Sequence, residues 1–576
     1  MSRFSSPGKA IWLVFAAGSL TLLGYLVQVG NQQPSNASTA RSLPGVSEYA
    51  LPRVAVGVLP QTPPNRANAE NFWNTYDPDL GYAPVEYLFE EAAFQKSLEK
   101  ARLKSATQSA FAQAFVWSER GPTNIGGRTR ALLWDPNDPA GNKVWAGGVT
   151  GGLWYNNNIT DANSSWQIVS DFWENLSVSA IAYDPVNTQI MYAGTGEGFF
   201  TGAARGAGIW KTTDGGQNWS RLSATTNMLF VGDMVVRNEM VGGVPTGVLY
   251  VGVHTSSAAN NIFLSDFPSG IWRSTNGGTS FTQVLPANLQ HAIADLEIGP
   301  DGRIYAGTLT DYNEANGLTN VVEGAILYSD NGTTWSANTQ YALEGSGITR
   351  IDVAVAPSDA NTVYALVCHD DEISAIGKSI NKGVSFTNLS EPDDVDLGIP
   401  SSDFSRGQAW YDLIVAVNPS DANDVVVGGI NLHRSTNGGT SWTHLSKWSN
   451  NPNLNQLAVS FVHADQHAIA FHPTRANEAI FGTDGGVFWT NQYNSATTSA
   501  TVFPRNKNYN VTQFYAGAVS GAGTEFYLAG AQDNGTLVMT GTGLQAGNET
   551  FGGDGAFCFA DPNSNRQIVS YVFNNY

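Results

Sequence analysis

A five-fold recurrence between residues 214 and 442 constrains this chain more than any other feature. An acidic or amide residue is followed two positions on by Gly and five positions on by an aromatic. The copies are Asp214, Gly216, Trp219; Asn276, Gly278, Phe281; Asp330, Gly332, Trp335; Asn381, Gly383, Phe386; and Asn437, Gly439, Trp442. Differences between successive first positions are 62, 54, 51 and 56 residues, the length of a four-stranded blade rather than of a helical repeat. Each copy reads as a hairpin turn: the Asp or Asn accepts backbone N–H groups, the Gly supplies a positive φ, and the aromatic packs back between sheets. Asp214, Asn276, Asp330, Asn381 and Asn437 are therefore assigned structural roles.

A second signal precedes each hairpin, where an alternating strand ends in a proline turn, as at Trp134-Asp135-Pro136, Tyr183-Asp184-Pro185, Asn418-Pro419, His472-Pro473 and Asp561-Pro562. First strands near Arg128, Val178, Val231, Ile293, Ile351, Leu413, His467, Gln513 and Ala556 give eight repeats and the start of a ninth, which reaches Tyr576 after its second strand. The fold class expected is all-β, a β-propeller. It is either seven blades plus part of a second propeller or one ring of eight or more blades. The predicted organisation is an export signal or membrane anchor at 1–30, a linker at 31–83, a helical segment at 84–114, a first propeller at 115–506, and the start of a second propeller, or closing blades, at 507–576.

Composition narrows the function. The 61 Gly, 16 Trp, 21 Tyr and 27 Phe suit many short strands, and a net charge of −20 repels phosphate backbones and excludes nucleic acid as the expected partner. Two cysteines, Cys368 and Cys558, supply neither a disulfide framework nor a Cys-rich metal site. Arg3 and Lys9 followed by an uncharged run from Ala10 to Val29 have the layout of an export signal, cleaved or retained as an anchor. The expected location is secreted or at the cell surface, and the membrane is met only through that segment if it is uncleaved.

The hairpin residues resemble the Asp-box (BNR) superfamily of propellers, which includes sialidases, two-propeller xyloglucanases and the sortilin ectodomain. Residues 121–130 (Gly-Pro-Thr-Asn-Ile-Gly-Gly-Arg-Thr-Arg), His463-Ala464-Asp465-Gln466-His467, Gly530-Ala531-Gln532-Asp533-Asn534-Gly535 and Gly552-Gly553-Asp554-Gly555 are similar to those of secreted bacterial proteins described as glycosyl-hydrolase-like or sortilin-like. The likeness covers about residues 115–576. It implies a propeller and leaves the reaction open.

In a four-stranded meander the capped hairpins share one face with the turns joining strands one and two, so the opposite face is where a site is expected. Its loops carry Glu197, Asp311, Asp370, Asp371, Asp484 and Asp533, with Asp465 and Asp554 ahead of first strands. Asp484, Asp533, Glu197 and Asp554 are the candidate catalytic residues, since glycoside hydrolysis needs two carboxyl groups whose pKa values are separated by environment. Arg128 and Arg130 either clamp an anionic ligand or pair with this rim. Trp154, Trp210, Trp272 and Trp410 either line a sugar cleft or fill blade cores. His463, Asp465 and His467 alternate along an extended strand, and could face one metal ion or form a hydrogen-bonded cluster. No cofactor is required; structural calcium or another divalent ion is compatible with the Asp-rich turns.

The resemblance to xyloglucanases calls for a carboxylate after the second strand of the first blade, where this chain reads Gly147-Gly148-Val149-Thr150-Gly151-Gly152. That to sialidases calls for an arginine triad and an early Arg-Ile-Pro-like strand, and no such early motif is visible. Two functions stay open: an exported propeller that binds or hydrolyses polysaccharide or glycoprotein glycans, and a non-catalytic, sortilin-like binder of peptides.

Overall fold

Seven antiparallel four-stranded sheets follow one another along the chain, and their first strands are Thr129–Trp134, Val178–Tyr183, Val231–Val241, Ala292–Ile298, Thr349–Val355, Ile414–Val417 and Gln466–Phe471. In this computed structural model each of these strands packs on the next, and the seventh packs back on the first. The ring thus closes at seven blades. The structure describes residues 119–199, 204–254, 267–286, 291–310, 324–342, 349–520, 526–541, 543–561 and 566–571, with Phe94, Ser97 and Leu289 besides. The segments read as signal or anchor and as linker, nearly all of the helical segment, and Asp311 lie outside the described residues.

One sequence device sets how closely the blades approach. In six of the seven blades the second strand carries a glycine facing the next blade's first strand. A Cβ on Gly147 would stand 2.6 Å from Val178 Cγ1, on Gly194 2.6 Å from Val231 Cγ1, on Gly252 2.6 Å from Ile293 Cγ2, on Gly307 1.9 Å from the Ile351 carbonyl oxygen, on Gly428 2.8 Å from Gln466 Cβ, and on Gly482 2.5 Å from the Thr129 carbonyl oxygen. Any side chain there would push two sheets apart. Blade five, whose second strand is Val363–His369, has no such glycine, and a bridge between Leu309 and Arg350 joins it to blade four.

The recurrent hairpins between third and fourth strands are capped from within. Asp214, Asn276, Asn381 and Asn437 each accept the backbone N–H four residues on, at 2.9, 3.0, 3.0 and 3.0 Å. A hydroxyl two residues earlier, on Thr212, Ser274, Ser379 or Ser435, accepts the glycine N–H. Blade four departs from this pattern. Its turn is one residue shorter, so Asn331 takes the cap from the Thr334 N–H at 2.7 Å, and Asp330 instead holds Arg303 at 2.7 and 2.9 Å.

After blade seven, residues 505–511 cross the junction with blade one. Arg505 Nε donates to the Ile159 carbonyl at 2.7 Å, the Trp166 N–H to the Lys507 carbonyl at 3.0 Å, and the Asn508 N–H to the Thr123 carbonyl at 2.7 Å. Tyr509 and Val511 are buried in one apolar cluster with Trp134, Trp154 and Trp166 of blade one and Ile480, Val487 and Trp489 of blade seven. The boundary read at 506 falls inside this strap. Beyond it stand an eighth four-stranded sheet, Phe514–Val519, Phe526–Ala531, Thr536–Thr540 and Asn548–Phe551, and a hairpin, Gly555–Ala560 with Gln567–Tyr571, packed against it. Cys368 and Cys558 are both buried and do not form a disulfide. Among the described residues no helix is long and apolar enough to cross a membrane.

Candidate active site

Arg128, immediately ahead of blade one, and Arg130, within its first strand, are 6% and 8% exposed, so their charges must be matched by buried anions. Glu197, in the loop after the second strand of blade two, supplies one: it accepts Arg128 Nη1 at 3.1 Å and also Arg130 Nε. Asp484, at the turn after the second strand of blade seven, supplies the other and accepts Arg128 Nε at 3.1 Å. Both guanidinium groups lie over the Tyr411 ring, 4.7 and 5.1 Å from its centre. Arg130 Nη2 also donates to the Tyr411 carbonyl at 3.2 Å. The two arginines therefore pair with the acidic rim and are not free to clamp a ligand.

Three donors converge on Asp484: Arg128, the Tyr411 hydroxyl at 2.5 Å and His467 Nε2 at 2.7 Å. Burial alone would raise its pKa, but Arg128, then His467 and Tyr411, hold it well below the usual carboxylate range. Glu197 is likewise lowered, the two arginines outweighing its burial. His467 is pushed down to about 4 by burial and by Arg130, so it is neutral and its Nε2–H donates to Asp484.

Around this ionised centre stands a ring of proton-bearing carboxyls. Asp465, Asp484 and Asp533 each bring a carboxylate oxygen within 4.8 Å of the others. Asp465 is raised to about 8 by burial and the Asp484 charge, while its Oδ1 accepts Gln408 Nε2 at 2.9 Å. Burial, then Asp484, Asp554 and Asp465, raises Asp533 well above the ordinary value. Asp412, fully buried, is raised in the same way by burial and Asp465. Asp554, ahead of the last hairpin, accepts the Asp533 N–H at 3.0 Å. Burial and the fixed Asp484 charge thus favour the protonated form of Asp465 and Asp533.

Several sequence expectations change here. Asp484 and Asp533 are brought together, each with a carboxylate oxygen within 4.8 Å of the other, but Asp484 is 2% exposed and already engaged by three donors. His463, Asp465 and His467 do not share an ion. Asp465 sits at φ +63°, which breaks the extended alternation, so His463 turns its ring nitrogens to the Ala464 and Asp533 carbonyls at 3.1 and 2.9 Å, while His467 turns to Asp484. Trp154 and Trp410 are 6% and 4% exposed. Trp154 donates to the Gly151 carbonyl and packs on Tyr509, and Trp410 lies in the core under blade six. Neither face is open to a sugar. Asp370 and Asp371 form the positive-φ turn of blade five and are not among the three clustered carboxylates; the Asp371 carbonyl accepts the Ala409 N–H at 2.9 Å. The capped hairpins contribute nothing to it.

Sequence reasoning missed Tyr411, Gln408 and Asp412, all in the connection from 389 to 413 between blades five and six. Its signal was length, since other connections into first strands are shorter. The Gly147–Gly152 turn, which carries no carboxylate, is filled from outside: a Cβ on Gly151 would stand 2.3 Å from Val511 Cγ1, and one on Gly148 2.8 Å from it.

Nearer the propeller axis, a cavity of about 220 Å³ is lined by Arg130, Arg350, Asp233, Asp295, Glu297 and Asp352, among others. Arg350 holds Asp352 at 3.0 and 3.1 Å.

No family model matches the chain. It is 23% identical over 387 residues to a xyloglucanase of Hypocrea jecorina (strain QM6a), covering 59% of this chain and 41% of that protein. It is 24% identical over 392 residues to a xyloglucanase of a Paenibacillus species, covering 61% and 34%. The chain therefore spans less than half the length of either relative. The crystal structure of the GH74 xyloglucanase from Xanthomonas campestris superposes with a TM-score of 0.53 at 16% identity, over 80% of this chain and 66% of that one, a likeness of fold.

Proposed function

We propose that this chain belongs to an extracellular propeller protein that hydrolyses glycosidic bonds in a polysaccharide, with Asp533 as general acid and Asp554 as the second carboxylate. The observation that carries the reading is the setting of Asp533, half-buried on its turn and beside the ionised Asp484, where burial and that charge push its carboxyl well above the ordinary value. A carboxyl that keeps its proton at neutral pH can hand it to a leaving glycosidic oxygen. Asp484 is 2% exposed and engaged by three donors, so it acts on Asp533 and Asp465 electrostatically rather than attacking substrate. Asp554 faces Asp533 from the neighbouring hairpin without joining the tight cluster, which suits a group that activates water or attacks the sugar. Low-identity similarity to two xyloglucanases supports a β-glucan-type polysaccharide as substrate class.

The test is release of new reducing ends from xyloglucan and a panel of other plant, microbial and host glycans. Asp533→Asn and Asp554→Asn should each lower kcat by about 10²–10⁴ with folding retained. Activity of the wild-type protein should fall at alkaline pH, as Asp533 loses its proton. Binding without release on every glycan would instead support a second reading, a non-catalytic peptide- or glycan-binding propeller. Burial of Trp154 and Trp410 and the Val511-filled Gly147–Gly152 turn favour that alternative.

A further inference from the structure

A second polar cluster lies on blade six and shares no residue with the carboxylate rim. His433, on the third strand Leu432–Ser435, and His444, on the fourth strand Thr443–His444, are direct cross-strand partners, with ring centres 4.4 Å apart. Asp394, from the connection into blade six, reaches over them. Its carboxylate oxygens lie 3.6 Å from His433 Nε2 and 3.7 Å from His444 Nε2. All three side chains are buried, at 1%, 6% and 6% exposure for His433, His444 and Asp394.

These contacts are too long for hydrogen bonds, and the ring nitrogens of His433 have none at all. A neutral imidazole at His433 would therefore turn an unshared lone pair into the pocket. At His444, Nδ1 faces the Ser446 carbonyl at 3.3 Å. Donation of its proton there leaves the Nε2 lone pair turned inward, touched only by the Val395 N–H at 3.3 Å. Asn431, fully buried, donates its amide to Asp394 Oδ2 at 2.8 Å and leaves its own Oδ1 without a partner. Two imidazole rings and a carboxylate thus share one buried pocket, their nearest nitrogen and oxygen atoms within 4.8 Å of one another, beside an amide oxygen that has no partner.

We propose that Asp394, His433 and His444 form a binding site for a divalent transition metal, Zn²⁺ by its ligand chemistry, with Asn431 holding Asp394 in place. A tetrahedral ion with ligands at about 2.0–2.2 Å sets neighbouring ligand atoms ~3.3–3.6 Å apart; here one Asp394 oxygen stands 3.6 Å from His433 Nε2 and the other 3.7 Å from His444 Nε2, and one atom from each residue lies within 4.8 Å of the others. Two nitrogens and one oxygen, with no sulfur, favour zinc over calcium or magnesium, which take oxygen. The ion would clip the connection 389–413 to the outer strands of blade six. That connection carries Gln408, Tyr411 and Asp412 on to the candidate active site. Such an ion would bind whether or not the chain hydrolyses glycans.

The full chain, loaded with excess Zn²⁺ and desalted, should retain one zinc per molecule. Asp394→Asn and His433→Gln should lower its affinity about tenfold or more, whereas Asp465→Asn and Asp533→Asn should keep it. Co²⁺ loading of the wild-type protein, which needs no variant to fold, should give the visible absorption of a tetrahedral nitrogen and oxygen site, reversed by chelation with a drop in Tm. Absence of retained zinc, an octahedral cobalt spectrum, or zinc lost in Asp465→Asn but kept in His433→Gln would each overturn the assignment.

Discussion

Arg128 concentrates the energetics of the site in one side chain. It neutralises Glu197 and Asp484 together and rests on Tyr411. Removing it as Arg128→Met leaves two buried anions facing one remaining arginine, and this should destabilise the protein by ~3–5 kcal/mol in urea denaturation. Arg128→Lys should recover only part, because a lysine offers a single point of charge where the guanidinium bonds two carboxylates from different blades. The pairing was readable as one of two options in the sequence, since Arg128 and Arg130 precede and open a first strand on the acidic face. Their partners were not readable, because Glu197 and Asp484 lie 69 and 356 residues away and meet only through ring closure. Asp465 shows the opposite limit: a single positive φ undoes an alternation that looked sound on paper.

Blades were legible because their signals are local. A capped hairpin needs a hydroxyl, an Asp or Asn and a Gly within five residues, and four copies follow that rule; blade four slips because its turn is one residue shorter. The glycines of the second strands carry information of another kind, about the neighbouring sheet. Gly307→Ala would bring a methyl group to 1.9 Å from the Ile351 carbonyl oxygen, and should cost about 1–3 kcal/mol. Gly517→Ala, whose Cβ would meet nothing nearer than 3.6 Å, should stay within ~0.5 kcal/mol. Equal losses at the two sites, measured by thermal denaturation, would remove blade spacing as the reason for the recurrent glycine.

For the whole molecule, the axial cavity sets a pH dependence. Asp233 is raised from 3.8 to about 7 by burial and Asp352, and Glu297 from 4.5 to about 8 by burial and Asp233. The native state therefore keeps protons that the unfolded chain has released across this window. Stability contributed by these groups is full below their unfolded values and declines as pH rises to about 8. Glu297→Gln should flatten that decline and raise the unfolding free energy at pH 8, measured by urea denaturation, by ~1–3 kcal/mol, with little change at pH 4. Propeller architecture was visible in the sequence, but blade number was not, since closure depends on which first strand meets Thr129–Trp134.

The strap at 505–511 has a consequence for how the ring is made. Among the described residues every blade is contiguous in sequence, so no strand ahead of blade one completes blade seven, and the strap follows all seven blades. The two ends of the ring already meet through the first strands of blades one and seven, and Tyr509 and Val511 seal that one junction, which no covalent link crosses, with a clasp drawn from the chain that follows all seven blades.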